Sequence, residues 1–144
     1  MNNARKNLKS MSILILVLTG LHFISLVVEF IFGGTASVSA PEGTSAVVVF
    51  ALKVIIFALM LLPLIPQIFI GTKGLRMAAR PNSSKAHIVW AIILFVFAVL
   101  SLISPVVGLI KAEDILGNVS VLCGMIAEAL AYFFYAKYAK AVAK

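Results

Sequence analysis

Four long apolar blocks restrict this chain to very few folds. They run from Ser12 to Phe32, from about Ala46 to Ile70, from Ile88 to Ile110 and from Val119 to Ala136. At about 1.5 Å rise per residue, helices of 18 to 25 residues reach roughly 27 to 37 Å, against a bilayer hydrocarbon thickness of about 30 Å. Inside lipid a backbone amide has no water to bond, so a span satisfies its hydrogen bonds within a helix or a closed barrel. Unalternated runs such as Ile13 to Leu18 and Val47 to Leu52 lack the period of two that a barrel strand requires. The expected fold class is therefore an all-α integral membrane protein, an antiparallel bundle of four transmembrane helices. Only 12% of the residues are charged, against about 25% in soluble domains, so residues 1–144 are read as one transmembrane domain.

Charge orients such a bundle, because basic groups flanking spans stay on the side where the chain is made. Arg5, Lys6 and Lys9 precede the first block, Lys73, Arg76, Arg80 and Lys85 join the second to the third, and Lys137, Lys140 and Lys144 follow the fourth. These are ten of the twelve basic residues, with no acid among them, whereas Glu42, Lys111, Glu113 and Asp114 lie on the opposite side. The expected topology has both termini in the cytoplasm and the chain in the plasma (inner) membrane. The basic face is expected to meet anionic lipid headgroups, and beside four spans that reading displaces nucleic acid as a partner.

The connections divide into a mobile outer loop 33–45, a basic inner loop 71–87 and a basic C-terminal tail 137–144. Gly71 and Gly74 are expected to loosen the end of the second helix, and Pro81 to stop whatever helix carries Leu75 to Arg80. Asn82, Ser83 or Ser84 is expected to cap the third helix. Trp90, Tyr132, Tyr135 and Tyr138 are read as aromatic anchors at the inner interface. A cleaved signal peptide is not expected. The first apolar block exceeds the usual roughly 7 to 15 residues, it contains His22 and Glu29, and Pro41 follows the best cut site.

The informative residues are the polar ones within the spans, since an ionisable group at the bilayer centre costs at least about 2.5 to 3.5 kcal/mol on insertion scales. On the first helix Thr19, His22, Ser25 and Glu29 fall on one stripe. On the second, Lys53, Met60, Pro63 and Gln67 share a side, and Pro63 with Pro66 is expected to kink the inner half. On the fourth, Ser120, Gly124, Ala127, Glu128 and Ala131 form a small-residue face fit for close helix packing. Counting depth along alternating helices brings Glu29 near Lys53, an expected ion pair, and sets His22 and Glu128 at the same midplane level. Imidazole and carboxyl groups both exchange protons, so these two form the candidate midplane polar site.

Other motifs are weak. Cys123 stands alone, the histidines and carboxylates show no metal-ligand spacing, and no cofactor is expected. No nucleophile and base occur at a recognisable spacing, which argues against an enzyme. Two functional classes survive. One is a self-associating (homo-oligomeric) or accessory membrane subunit docking through its small-residue faces. The other is a small transporter, channel or lipid- or ligand-binding protein using His22 and Glu128. The lack of a conduction motif favours the first.

Overall fold

The computed structural model describes residues 3–32, 45–81, 85–111 and 114–143. Among them all regular structure is helical: α1 (Asn3–Phe32), α2 (Ala46–Leu61), α3 (Leu64–Ala79), α4 (Ala86–Ser101), α5 (Ile103–Ile110) and α6 (Ile115–Val142). Taken across two short breaks, these give four helices long and apolar enough to cross a membrane: Asn3–Phe32, Ala46–Ala79, Ala86–Ile110 and Ile115–Val142. The chain has the architecture of a multi-pass membrane protein. The expected outer loop lies almost wholly outside the described residues, as do Asn82, Ser83 and Ser84.

Both breaks follow from proline chemistry. Pro63 and Pro66 offer no N–H to the carbonyls one turn earlier, and their rings crowd those carbonyls. The helix therefore interrupts at Leu62–Pro63, where Leu62 N bonds Leu59 O and Ile65 N bonds Leu62 O, both at 3.2 Å across three residues. Pro105 has the same effect on the third span, where Leu102 N turns to Val99 O at 3.2 Å. The first break falls beside Pro63 and Pro66, where a kink is expected; the break at Leu102 has no counterpart in the sequence reading.

Every span is longer than its apolar block, which corrects the expected boundaries. Helical hydrogen bonding continues into water until something stops it. The second span runs on through Gly71 and Gly74 to Ala79, so most of the expected loop 71–87 is helix. It ends because Arg80, preceding Pro81, is held extended at φ −133° and ψ 103°. Lys85 stands at the N-cap of α4 without a side-chain cap bond. At the other end of the molecule Asp114 takes the left-handed φ of 33° and its carboxylate accepts from Gly117 N at 3.2 Å, capping α6.

The core lies toward the end marked by the α3–α4 connection. Leu8, Ile15, Ile70, Met77, Ile88, Ala131, Tyr135 and Ala139 share one buried cluster. Helix α1 packs against α3 and α6, and α4 against α6 and α3. Gly71 and Gly74 are the reason α3 comes so close. A Cβ on Gly74 would sit 2.2 Å from Ser12 Oγ and 2.4 Å from Tyr135 Cε2, and one on Gly71 would meet the Leu16 side chain at 2.6 Å. These glycines pin the helix into its neighbours; they do not loosen it. Tyr135 closes the contact by donating to Ile70 O at 2.7 Å. The opposite end is looser: α2 buries no residue and α5 only Pro105.

Candidate functional site

The buried residues of α1 are Leu8, Ser12, Ile15, Thr19 and Leu26, steps of three, four and finally seven that keep one face inward. His22 belongs to the same stripe, between Thr19 and Leu26, yet it is exposed. Packing is missing at that level. A cavity of about 230 Å³ opens there, lined by His22, Pro63, Gln67, Ser101, Glu128 and Tyr132, with Leu94, Phe97, Ala98 and Met125 as its apolar wall. All four spans contribute.

A continuous hydrogen-bonded chain forms one side of this cavity. Thr19 Oγ1 lies 3.0 Å from Gln67 Oε1 and 2.7 Å from Ile15 O, so its proton can serve either acceptor. Gln67 Nε2 donates to Glu128 Oε1 at 3.0 Å, and the Tyr132 hydroxyl donates to that same oxygen. The amide of Gln67 is thereby used at both ends and ties α1 to α6 through α3. Gln67 is 6% exposed and Thr19 4%, so this part is removed from lipid. Glu128 is half-buried and faces the void with two donors already on one oxygen. In a low-dielectric setting such donors replace part of the hydration a carboxylate would lose.

His22 and Glu128 thus line the same cavity. Among the described residues no three His, Cys, Asp or Glu side chains converge to hold a metal ion. The chain matches no family model, no curated protein and no solved structure. Whatever this cavity does must be argued from its own chemistry.

The other sequence candidates are distributed differently. Glu29 is exposed and Lys53 half-buried, and both adjoin the contact in which the Phe30 and Phe57 rings lie 4.6 Å apart, joining α1 to α2. Ser25 is exposed too, so beyond His22 the inward stripe of α1 follows Leu26 and departs from Ser25 and Glu29. On α6 Ala129, Ala131, Tyr132, Tyr135, Ala136 and Ala139 are buried and Met125 and Glu128 half-buried, so of the expected small-residue face Glu128 and Ala131 turn inward. Ser120, Gly124 and Ala127 are exposed and only Ala131 is buried. A Cβ on Gly124 would meet nothing within 4 Å.

The aromatic anchors also need correction. Tyr132 and Tyr135 are buried, and their hydroxyls bond Glu128 and Ile70 O where headgroups were expected. Both side chains turn into the bundle, where a buried hydroxyl takes an acceptor from the protein itself. Sequence reasoning also passed over His87, which is buried at the end of the core with Nε2 3.1 Å from Met77 Sδ and its ring edge-on to Tyr135 at 6.0 Å. An isolated histidine beside a helix start carries no signal that distinguishes it.

Proposed function

We propose that this chain is a small ligand-binding or transport protein that takes a small polar or protonatable solute at His22 and Glu128. What carries the reading is that both titratable groups, with Gln67 and Tyr132, border one cavity to which every span contributes. Polar groups gathered round a void within a membrane domain are costly to maintain for packing alone. Glu128 offers an anionic or hydrogen-accepting wall, His22 a group that can donate or accept, and Phe97 an aromatic surface suited to a cationic or amine-bearing solute.

Hydration of the cavity tests this. With Cys123 replaced by Ser, Ser101→Cys and Met125→Cys, which line the void, are expected to react with a membrane-impermeant thiol reagent, and His22→Leu or Glu128→Leu to slow that reaction. Val96→Cys, on the exposed flank of α4, serves as the unreactive control. Equal inertness at all three positions would establish a dry packing defect and end the proposal.

On this reading the chain lies in the plasma (inner) membrane as an antiparallel four-helix bundle with both termini cytoplasmic, supported by the one-sided distribution of ten of twelve basic residues. Glu29 and Lys53 form an ion pair beside the Phe30–Phe57 contact. Glu29→Gln is then expected to lower stability unless Lys53 is neutralised as well, and additive losses in the double variant would show that the two do not interact.

A second reading, self-association or docking to a larger membrane partner, rests on the uncovered Ser120, Gly124 and Ala127. Small residues let helix backbones approach closely in lipid, and nothing among the described residues covers them. The two readings are compatible, since the cavity and this face lie on different sides of α6.

A further inference from the structure

The α4–α6 seam has a feature that neither reading uses. Toward the α3–α4 connection a groove runs along the surface between the two helices in two stretches. One, of about 400 Å³, is lined by Ile92, Phe95, Phe133, Ala136, Lys137 and Lys140. The other, of about 360 Å³, is lined by Lys85, Ile88, Val89, Ile92, Lys140 and Ala143. Ile92 and Lys140 are common to both, so the stretches are continuous.

Its chemistry is divided along its length. The deep part is hydrocarbon: Phe95 and Phe133 stand 5.7 Å apart, and Ala136 between Phe133 and Lys140 keeps the floor low. The shallow part carries Lys85, Lys137 and Lys140, all exposed, and among the described residues no carboxylate lines either stretch. Lys85 is also the N-cap of α4, which begins there without a side-chain cap, so the positive end of that helix adds to the same field. Three cations that converge from two helices at the mouth of an apolar slot match a molecule with an anionic head and a hydrocarbon tail. Lysine stems can lie along the apolar wall while their ammonium groups reach the head.

We infer that the α4–α6 groove is a binding site for one anionic phospholipid, its phosphate held by Lys85, Lys137 and Lys140 and one acyl chain laid over Ile92, Phe95 and Phe133. The occupant is a lipid because the cations are placed at the end of a span and the slot runs from them into the membrane-crossing part of the helices. A neutral lipid would leave the lysines unused, and a soluble phosphate would leave the slot empty. The inference is independent of the midplane cavity and survives or falls without it.

The test is native mass spectrometry of the full chain released from nanodiscs of equimolar phosphatidylglycerol and phosphatidylcholine. Retention of one phosphatidylglycerol in preference to phosphatidylcholine is expected. Lys85→Gln, Lys137→Gln and Lys140→Gln should each reduce that preference about fivefold, the effect of one basic residue near an anionic headgroup. Ile92→Trp, a change at an exposed position that fills the slot and alters no charge, should lower retention of the lipid as a whole. Added glycerol 3-phosphate should not compete, which separates a lipid from its free headgroup. Equal retention of the two lipids, a triple lysine variant with the wild-type preference, or competition by glycerol 3-phosphate would overturn the assignment. So would a chain dimer that appears in place of bound lipid and is lost in Ile92→Trp.

Discussion

Gln67 is the residue on which the interior depends most. Its amide accepts from Thr19 and donates to Glu128, so an apolar replacement leaves Thr19 only Ile15 O and takes one of two donors from the Glu128 carboxylate. A hydrogen bond between membrane helices averages about 0.6 kcal/mol, and bonds to charged groups reach about 1.5 to 3 kcal/mol. Gln67→Leu is expected to cost about 1 to 3 kcal/mol, read as a lowered midpoint of thermal unfolding in detergent. Gln67→Leu with Glu128→Leu should recover part of the loss, because the second change removes the carboxylate that has lost a donor. A further fall in the double variant would show that the network does not carry the stability. The sequence picks out Gln67, His22 and Glu128 as polar residues within the spans, and all three line the cavity. The Gln67–Glu128–Tyr132 link was not legible there, because periodicity fixes which residues share a face but not how far each helix is rotated about its axis. Tyr132 shows the ambiguity: a phenol can satisfy its hydroxyl at a headgroup or on a carboxylate, and only the rotation that buries it decides between them.

At the scale of the elements, two glycines that look alike in sequence behave oppositely. Gly74 sits where α3 meets Ser12 of α1 and Tyr135 of α6, and a methyl group there has no room. Gly74→Ala is expected to destabilise the fold by about 1 to 3 kcal/mol through forced separation of helices. Gly124→Ala meets empty space and removes a glycine from a helix interior, so in the isolated chain it should be neutral or stabilising by up to about 1 kcal/mol. If the face around Gly124 docks a partner, the bulkier Gly124→Ile will abolish that association, measured by crosslinking in native membranes, while the unfolding midpoint stays put. Small residues announce close approach, yet sequence does not say whether the approaching helix belongs to the same chain. The helix ends were misjudged for a related reason. Hydrophobicity marks where lipid stops, whereas a helix continues until proline or a cap intervenes, as at Pro81 and Asp114.

For the whole molecule, the segregation of charge is the feature most openly written in the sequence, and it makes the proposed orientation directly measurable. A C-terminal fluorescent-protein fusion should fold and fluoresce, whereas alkaline phosphatase at the same position should be inactive; the reverse pattern would reject cytoplasmic termini. The uneven distribution of packing was not legible. Four apolar blocks of similar character give no sign that one end would be pinned by Gly71, Gly74 and Tyr135 while α2 buries nothing.

The two helix breaks have a mechanical consequence. Counted from the α3–α4 connection, Leu62 lies 17 residues from Ala79 and Leu102 lies 16 from Ala86, so at about 1.5 Å per residue both joints stand roughly 25 Å up adjacent arms. Near the foot α3 is held tightly at Gly71 and Gly74, whereas beyond the joints α2 buries no residue and α5 only Pro105, so tilting is expected above them. A bilayer that thickens or thins then finds one compliant storey on a stiff foundation, and the adjustment is taken up there, leaving the clamped core undistorted.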